Sequence, residues 1–305
     1  MKWKTRDAIW IYAFALLLLS VTGVVYAKYY RPEWRKYQSG FKDLVTQRLG
    51  PDKAAKLPTG LQQVWIKDLN RTDRCVTCHQ GVEWSGFDDA PEPYRSHPKE
   101  ILAKHPISKY GCTSCHGGQG FATDARDAHA TMIDFWEEPV LASQLSKTYA
   151  IEDPKALIQI NCNVCHRHDT ETAGADYINA AKQWTKDIGC DTCHRIEGQG
   201  KVVGPDLTYI GDQPGEHFDF SHITGAKTAF GWHVEHFMNP EGVSPETKMP
   251  NLNLDKKDAQ GLAMLVMSWK RVNLPMAYMH MPQKTEPTKV AANNNAPATE
   301  EKRGP

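Results

Sequence analysis

The sequence is short of several things, and each shortage excludes something. Its 36 Lys and Arg are matched by 36 Asp and Glu, so the formal charge is zero. A chain without excess positive charge is poorly equipped to hold nucleic acid by bulk electrostatics. There is no glycine-rich nucleotide fingerprint and no catalytic constellation of nucleophile and base. Hydrophobic residues make up only 40 % of the 305 positions, low but workable for a globular protein. The length allows two ordinary domains. No cysteine is left over: all eight fall in pairs two residues apart. That excludes a conventional disulfide framework and argues against a lone catalytic thiol.

What is present is four times the same motif. It reads Cys75-Val-Thr-Cys78-His79, Cys112-Thr-Ser-Cys115-His116, Cys162-Asn-Val-Cys165-His166 and Cys190-Asp-Thr-Cys193-His194. Two thiols at this spacing can form thioethers to the two vinyl groups of one haem, and the next residue, histidine, reaches the iron from the same side. Zinc is the alternative, because four such pairs could build two four-thiolate ribbons. Zinc does not require the following histidine, which is present all four times. A redox-active dithiol needs one pair, not four. No motif has lysine in place of its histidine. The motifs therefore predict four covalently bound haem c groups with His79, His116, His166 and His194 as proximal ligands. A macrocycle is a large apolar body and replaces much of a side-chain core. The expected fold is mostly α with long loops and little sheet.

Residues 8 to 27 read AIWIYAFALLLLSVTGVVYA, without a charge and long enough to cross a bilayer as a helix. Lys2, Lys4 and Arg6 precede the run and favour an N-terminus that stays inside. Val25-Tyr26-Ala27 offers a cleavage site, so a signal peptide is the alternative, but the apolar run exceeds the usual signal length. Residues 1–28 are read as an uncleaved membrane anchor. Covalent haem attachment occurs outside the cytoplasm, so in a bacterium the chain belongs to the inner membrane with its haem domains on the periplasmic side. Residues 29–74 are a juxtamembrane helix and lead-in. Trp34, Tyr37, Phe41, Leu44 and Val45 form a helical stripe that Gly50-Pro51 ends. The stripe could face a partner subunit or the chain's own haem domain. Gly60 to Arg74 is expected to be extended. Residues 75–170 form a three-haem domain and 171–281 a monohaem domain. Residues 282–305 lack large apolar side chains apart from one valine and are expected to be disordered.

In the second domain, Asp176 to Ile188 is a predicted helix. Asp255 is the predicted N-cap of a last helix with Leu262, Leu265, Val266 and Trp269 on one face. The order of the fourth motif, Gly204-Pro205-Asp206-Leu207, WHVEHFMNPEGVSPETKMPNL and this last helix resembles a class I cytochrome c domain. The resemblance covers about 100 residues, roughly one domain's worth. It implies an all-α domain with His194 as proximal and Met249 as distal ligand, the Pro205 carbonyl holding the His194 ring and Trp232 packed near the haem. Met/His ligation raises a haem's potential. Met276, Met279 and Met281 are competing methionines.

Three haems then need a sixth ligand each, and His97, His105 and His129 lie among the first three motifs. Which serves which iron stays open, and His280 is a rival for the third haem. The strings DRCVTCHQGVEW, SHPKEILAKHPISKYGCTSCHGGQGFATDARDAHA and WEEPVL resemble membrane-anchored multihaem c-type subunits of bacterial quinol-oxidising complexes of the cytochrome bc kind. That resemblance implies docking beside a multi-span quinol-oxidising subunit such as a cytochrome b, and electron relay to a periplasmic acceptor. A single span is thin for building a quinone pocket alone. The expected function is electron transfer rather than catalysis. A direct quinol dehydrogenase, or a multihaem reductase with one open haem site, are the alternatives.

Overall fold

The computed structural model describes residues 5–130, 139–141 and 143–280. Residues 281–305, with Met281, and Trp136 to Glu138 of the WEEPVL segment lie outside the described residues. The described chain is mostly helical, as expected, and its strands are two short antiparallel hairpins.

Helix α1 spans Thr5–Tyr30 and buries none of its residues. At 1.5 Å rise per residue it is about 39 Å long. It is long and apolar enough to cross a membrane. Pro32, which has no N–H to give, falls in the three-residue break before α2, Trp34–Leu49. The α2 stripe turns onto the chain itself. Phe41 and Val45 are fully buried with Phe87 and Ala90. The Phe41 ring lies 5.4 Å from Phe87, 5.6 Å from Trp84 and 5.8 Å from Tyr94. Buried Gln38 reaches from α2 to the first motif, donating to the carbonyls of Gly60 and Thr77.

The lead-in folds as a hairpin, β1 Val64–Ile66 against β2 Arg71–Asp73. Short helices follow: α3 Pro51–Ala54 before the hairpin, then α4 Lys99–Lys104, α5 Ile107–Tyr110, α6 Thr113–His116, α7 Ala125–Ala128, α8 Ser143–Tyr149 and α9 Gln159–Cys165. Buried Asp73, at the end of β2, ties the hairpin to α6. Its carboxylate accepts the Cys112 N–H at 2.6 Å, the Thr113 N–H at 2.9 Å and the Thr113 hydroxyl at 2.7 Å. Gly111 must be glycine here, since its φ is +66° and a Cβ would strike the Asp73 carboxylate.

The C-terminal part holds α10 Asp176–Ile188, a two-residue hairpin (β3 Arg195–Ile196, β4 Gln199–Gly200), α11 Ala229–Met238, α12 Pro240–Val243 and α13 Lys256–Met267. Both sequence-predicted helix starts hold: α10 begins at Asp176, and the Asp255 carboxylate caps α13 by accepting the Asp258 N–H at 2.8 Å. Leu262, Leu265, Val266 and Trp269 are all buried. Their cluster includes Ile178 and Ala181 of α10, Phe230 and Val234 of α11, and also Ile151, Ala156 and Leu157. One apolar core therefore runs from the segment before the third motif into the helices around the fourth.

Candidate haem centres

Each motif closes the same turn. The N–H of the motif histidine donates to the carbonyl of its first cysteine, at 2.9 Å for His79, His116 and His194 and 3.1 Å for His166. One helical turn of this kind brings residues i, i+3 and i+4 to one side. Both thiols and the imidazole are thus presented together. The first and fourth motifs do this on 3-10 turns, Cys75–Thr77 and Cys190–Thr192, the second on α6 and the third at the end of α9. All eight cysteines are half-buried, and none pairs in a disulfide. Burial, with Glu33 nearby, pushes Cys78 up to about 11, and burial pushes Cys162 to about 11 as well.

The histidines meet in pairs. His79 and His129 have ring centroids 6.2 Å apart, with planes at 78°. His116 and His97 are 6.1 Å apart at 86°. His166 and His105 are 6.1 Å apart at 71°. A metal held about 2.0–2.1 Å from a nitrogen of each of two facing imidazoles sets their centres about 6.4 Å apart. The three observed spacings match that value. The rival His280 does not: it lies only 5.2 Å from His166, more than an ångström too close.

The ring nitrogens are also sorted. Nδ1 of His97 lies 3.1 Å from the Pro98 carbonyl, of His105 3.3 Å from Ile101, of His129 2.8 Å from Ala125 and of His194 2.8 Å from Pro205. Nδ1 of His166 lies 2.6 Å from the Asp169 carboxylate. An Nδ1 so engaged fixes the ring and leaves Nε2 for a metal. Burial, then His129, lowers the basicity of His79. Burial, then His97 and His79, lowers His116 to about 4. Both are held as the neutral imidazoles that bind metal.

The fourth motif is arranged differently. Gly204 lies flat against the His194 ring, where a Cβ would come within 2.6 Å of Cε1 and 2.8 Å of Nδ1. No other histidine ring pairs with His194 at the 6 Å spacing among the described residues. Met249 is half-buried in the segment between α12 and α13, its N–H donating to the Thr247 hydroxyl at 3.3 Å. Trp232 stacks on His236 at 4.5 Å. His233 is buried between Phe218, Trp232 and Phe237, and burial pushes it down to about 3.

The donor set and its spacing fit covalent haem: paired thiols, a following imidazole, and for three motifs a second imidazole one metal away. Residues 95–195 match the family model for cytochrome c7 and related cytochrome c, and residues 180–270 match that for cytochrome c. The chain carries a c7-like multihaem domain and a class I cytochrome c domain. Such domains bind covalent haem c and transfer electrons. The multihaem match takes in the second, third and fourth motifs, crossing residue 170, and the first motif precedes it. No curated protein and no solved structure matches the chain.

Several partners were not legible from the sequence. Asp73 and Asp169 carry no motif of their own. Glu33 accepts the Ala125 N–H at 2.9 Å and the Tyr37 hydroxyl at 3.0 Å, which ties the start of α7, and so His129, to the first residues beyond α1. The only sequence hint for Asp169 is its place three residues past His166, one helical turn on.

Proposed function

We propose that this c-type cytochrome holds four haems and relays electrons between a membrane donor and an acceptor outside the cytoplasm. The ligand pairs are His79/His129, His116/His97, His166/His105 and His194/Met249. The observation that carries the proposal is the recurrence of 6.1–6.2 Å between facing imidazoles at the first three motifs. A second histidine at each of these motifs would fill the ligand position that a substrate would need, which favours a carrier over a reductase.

Bound haem c supplies one-electron exchange at iron. The chain's own residues hold the four sites as a string of neighbours. Asp73, two residues before the first motif, accepts the Cys112 and Thr113 N–H groups of the second at 2.6 and 2.9 Å. Asn161, just before the third motif, donates to the Cys115 carbonyl at 2.9 Å. Arg167, just after it, pairs with Glu197 at 2.5 Å and donates to the Thr208 carbonyl at 2.9 Å, both beside the fourth motif. The Glu33–Ala125 bond keeps the first site at the membrane end. Bis-histidine sites generally lie below Met/His sites in potential, so electrons enter at the His79/His129 end and leave at His194/Met249.

In this proposal α1 is an uncleaved inner-membrane anchor, and the haem sites lie on the periplasmic side. The donor is a multi-span quinol-oxidising subunit such as a cytochrome b, and the acceptor is periplasmic. The test is a mass measurement for four haems, followed by a potentiometric titration with spin state and carbon monoxide binding observed throughout. Four low-spin haems that refuse carbon monoxide, with the Met/His centre highest, are expected. A high-spin haem that binds carbon monoxide defeats the carrier reading, and a fourth centre of lowest potential defeats the direction.

A further inference from the structure

The third site differs from the fourth in what stands behind its proximal ring. His194 backs onto a neutral carbonyl, that of Pro205. His166 backs onto a carboxylate: Asp169 Oδ2 lies 2.6 Å from its Nδ1, and the Asp169 side chain is only 10 % exposed. The other carboxylate oxygen lies 2.5 Å from Nδ1 of His280. Lys182 donates to the backbone carbonyls of His166 and Asp169, both at 2.8 Å, and so holds the turn that carries the acid. No other motif histidine has a carboxylate on its ring nitrogen among the described residues.

His280 arrives on a segment beyond residues 180–270, which match cytochrome c, and returns to the third motif. Its N–H donates to the Cys165 carbonyl at 3.1 Å. Two residues earlier the Tyr278 hydroxyl donates to the Lys109 carbonyl at 3.1 Å. The Tyr278 ring lies 5.4 Å from Tyr110, which lies 5.2 Å from His105. The segment thus braces both histidines of the third pair, one through Asp169 and one through Tyr110.

We propose that Asp169 is a positioning residue that lowers the reduction potential of the third centre below those of the first two, and that His280 moderates it. This rests on the His105/His166 pairing proposed above. A carboxylate accepting the Nδ1 proton makes the imidazole a more basic ligand. A more basic ligand favours ferric iron over ferrous, and ligand hydrogen bonding is an established lever on haem potential. Reduction adds one electron to ferric iron and moves no proton, so only the balance of the two oxidation states shifts. His280 shares the carboxylate charge. Removing it leaves more of that charge for His166 and admits water, and both act in the ferric direction.

The experiment uses the full haem-loaded protein. His105→Ala first identifies the third centre, as the low-spin signal that becomes high-spin, and that step tests the pairing on its own. Asp169→Asn should then raise the potential of that centre by about a decade in its reduction equilibrium, about 59 mV for one electron, leaving it low-spin and the other three unmoved. His280→Ala should lower the same centre. Opposite signs on one centre are not expected of a loss of packing. An unmoved third centre in Asp169→Asn, or equal shifts in all four, overturns the proposal. Should Asp169→Asn fail to mature, an upward or absent shift in His280→Ala overturns it instead.

Discussion

Asp73 connects the first and second motifs through three hydrogen bonds, and replacing it gives a sharp test of how the haem-binding turns are held. In Asp73→Ala the Cys112 and Thr113 N–H groups and the Thr113 hydroxyl lose their acceptor. The acid is 1 % exposed, so water does not readily replace it. Each buried group left unpaired costs about 1–3 kcal/mol. The hydroxyl can rotate to another partner, so the two amides dominate, at roughly 3–4 kcal/mol together. Asp73→Asn should cost far less. Its carbonyl can take the place of Oδ2 and accept both amides, while its NH2 donates to a reoriented Thr113 hydroxyl. Only the charge is lost, at about 1 kcal/mol. Amide hydrogen exchange at Cys112 and Thr113 reads the effect locally. At about 1.4 kcal/mol per decade, Asp73→Ala should speed exchange there by more than a hundredfold, and Asp73→Asn by less than tenfold. Equal acceleration in the two variants, or none in the alanine variant, would refute the reasoning.

Gly204→Val should push the His194 ring off the Pro205 carbonyl, because even the Cβ would come within 2.6 Å of the ring. The expected result is a changed potential and spin state at the fourth centre alone, seen by spectropotentiometry. Phe41→Ala should cost about 3–5 kcal/mol, since the ring is fully buried against Trp84, Phe87 and Tyr94; denaturant melts read by far-ultraviolet circular dichroism check this, and a loss under 1 kcal/mol contradicts it. His233 is lowered from 6.5 to about 3 by burial, so the unfolded chain binds its proton first as pH falls. Its contribution to stability is full above pH 6.5 and declines toward about pH 3, by at most about 1.4 kcal/mol per pH unit. His233→Phe should flatten that part of the pH–stability curve, and parallel curves for the two proteins would show that the ring is not the titrating group.

The repeated Cys-x-x-Cys-His turns, the apolar α1, the α10 span and the Asp255 cap were legible in the sequence because each is local. One helical turn or one amphipathic face is enough to specify them, whatever lies around it. The α2 stripe was legible as a stripe, while its occupant was not: only the folded chain puts Phe87 and Tyr94 under Phe41. The histidine partners were beyond the sequence for the same reason. His97 follows the first motif yet faces the second, His105 precedes the second yet faces the third, and His129 follows the second yet faces the first. The pairs interleave, so proximity along the chain misleads. His280 and Asp169 meet across 111 positions. The residues themselves determined which groups can hold iron, by donor chemistry and short spacing. Only the tertiary structure decided which imidazoles face each other, because that depends on how the loops return across the core.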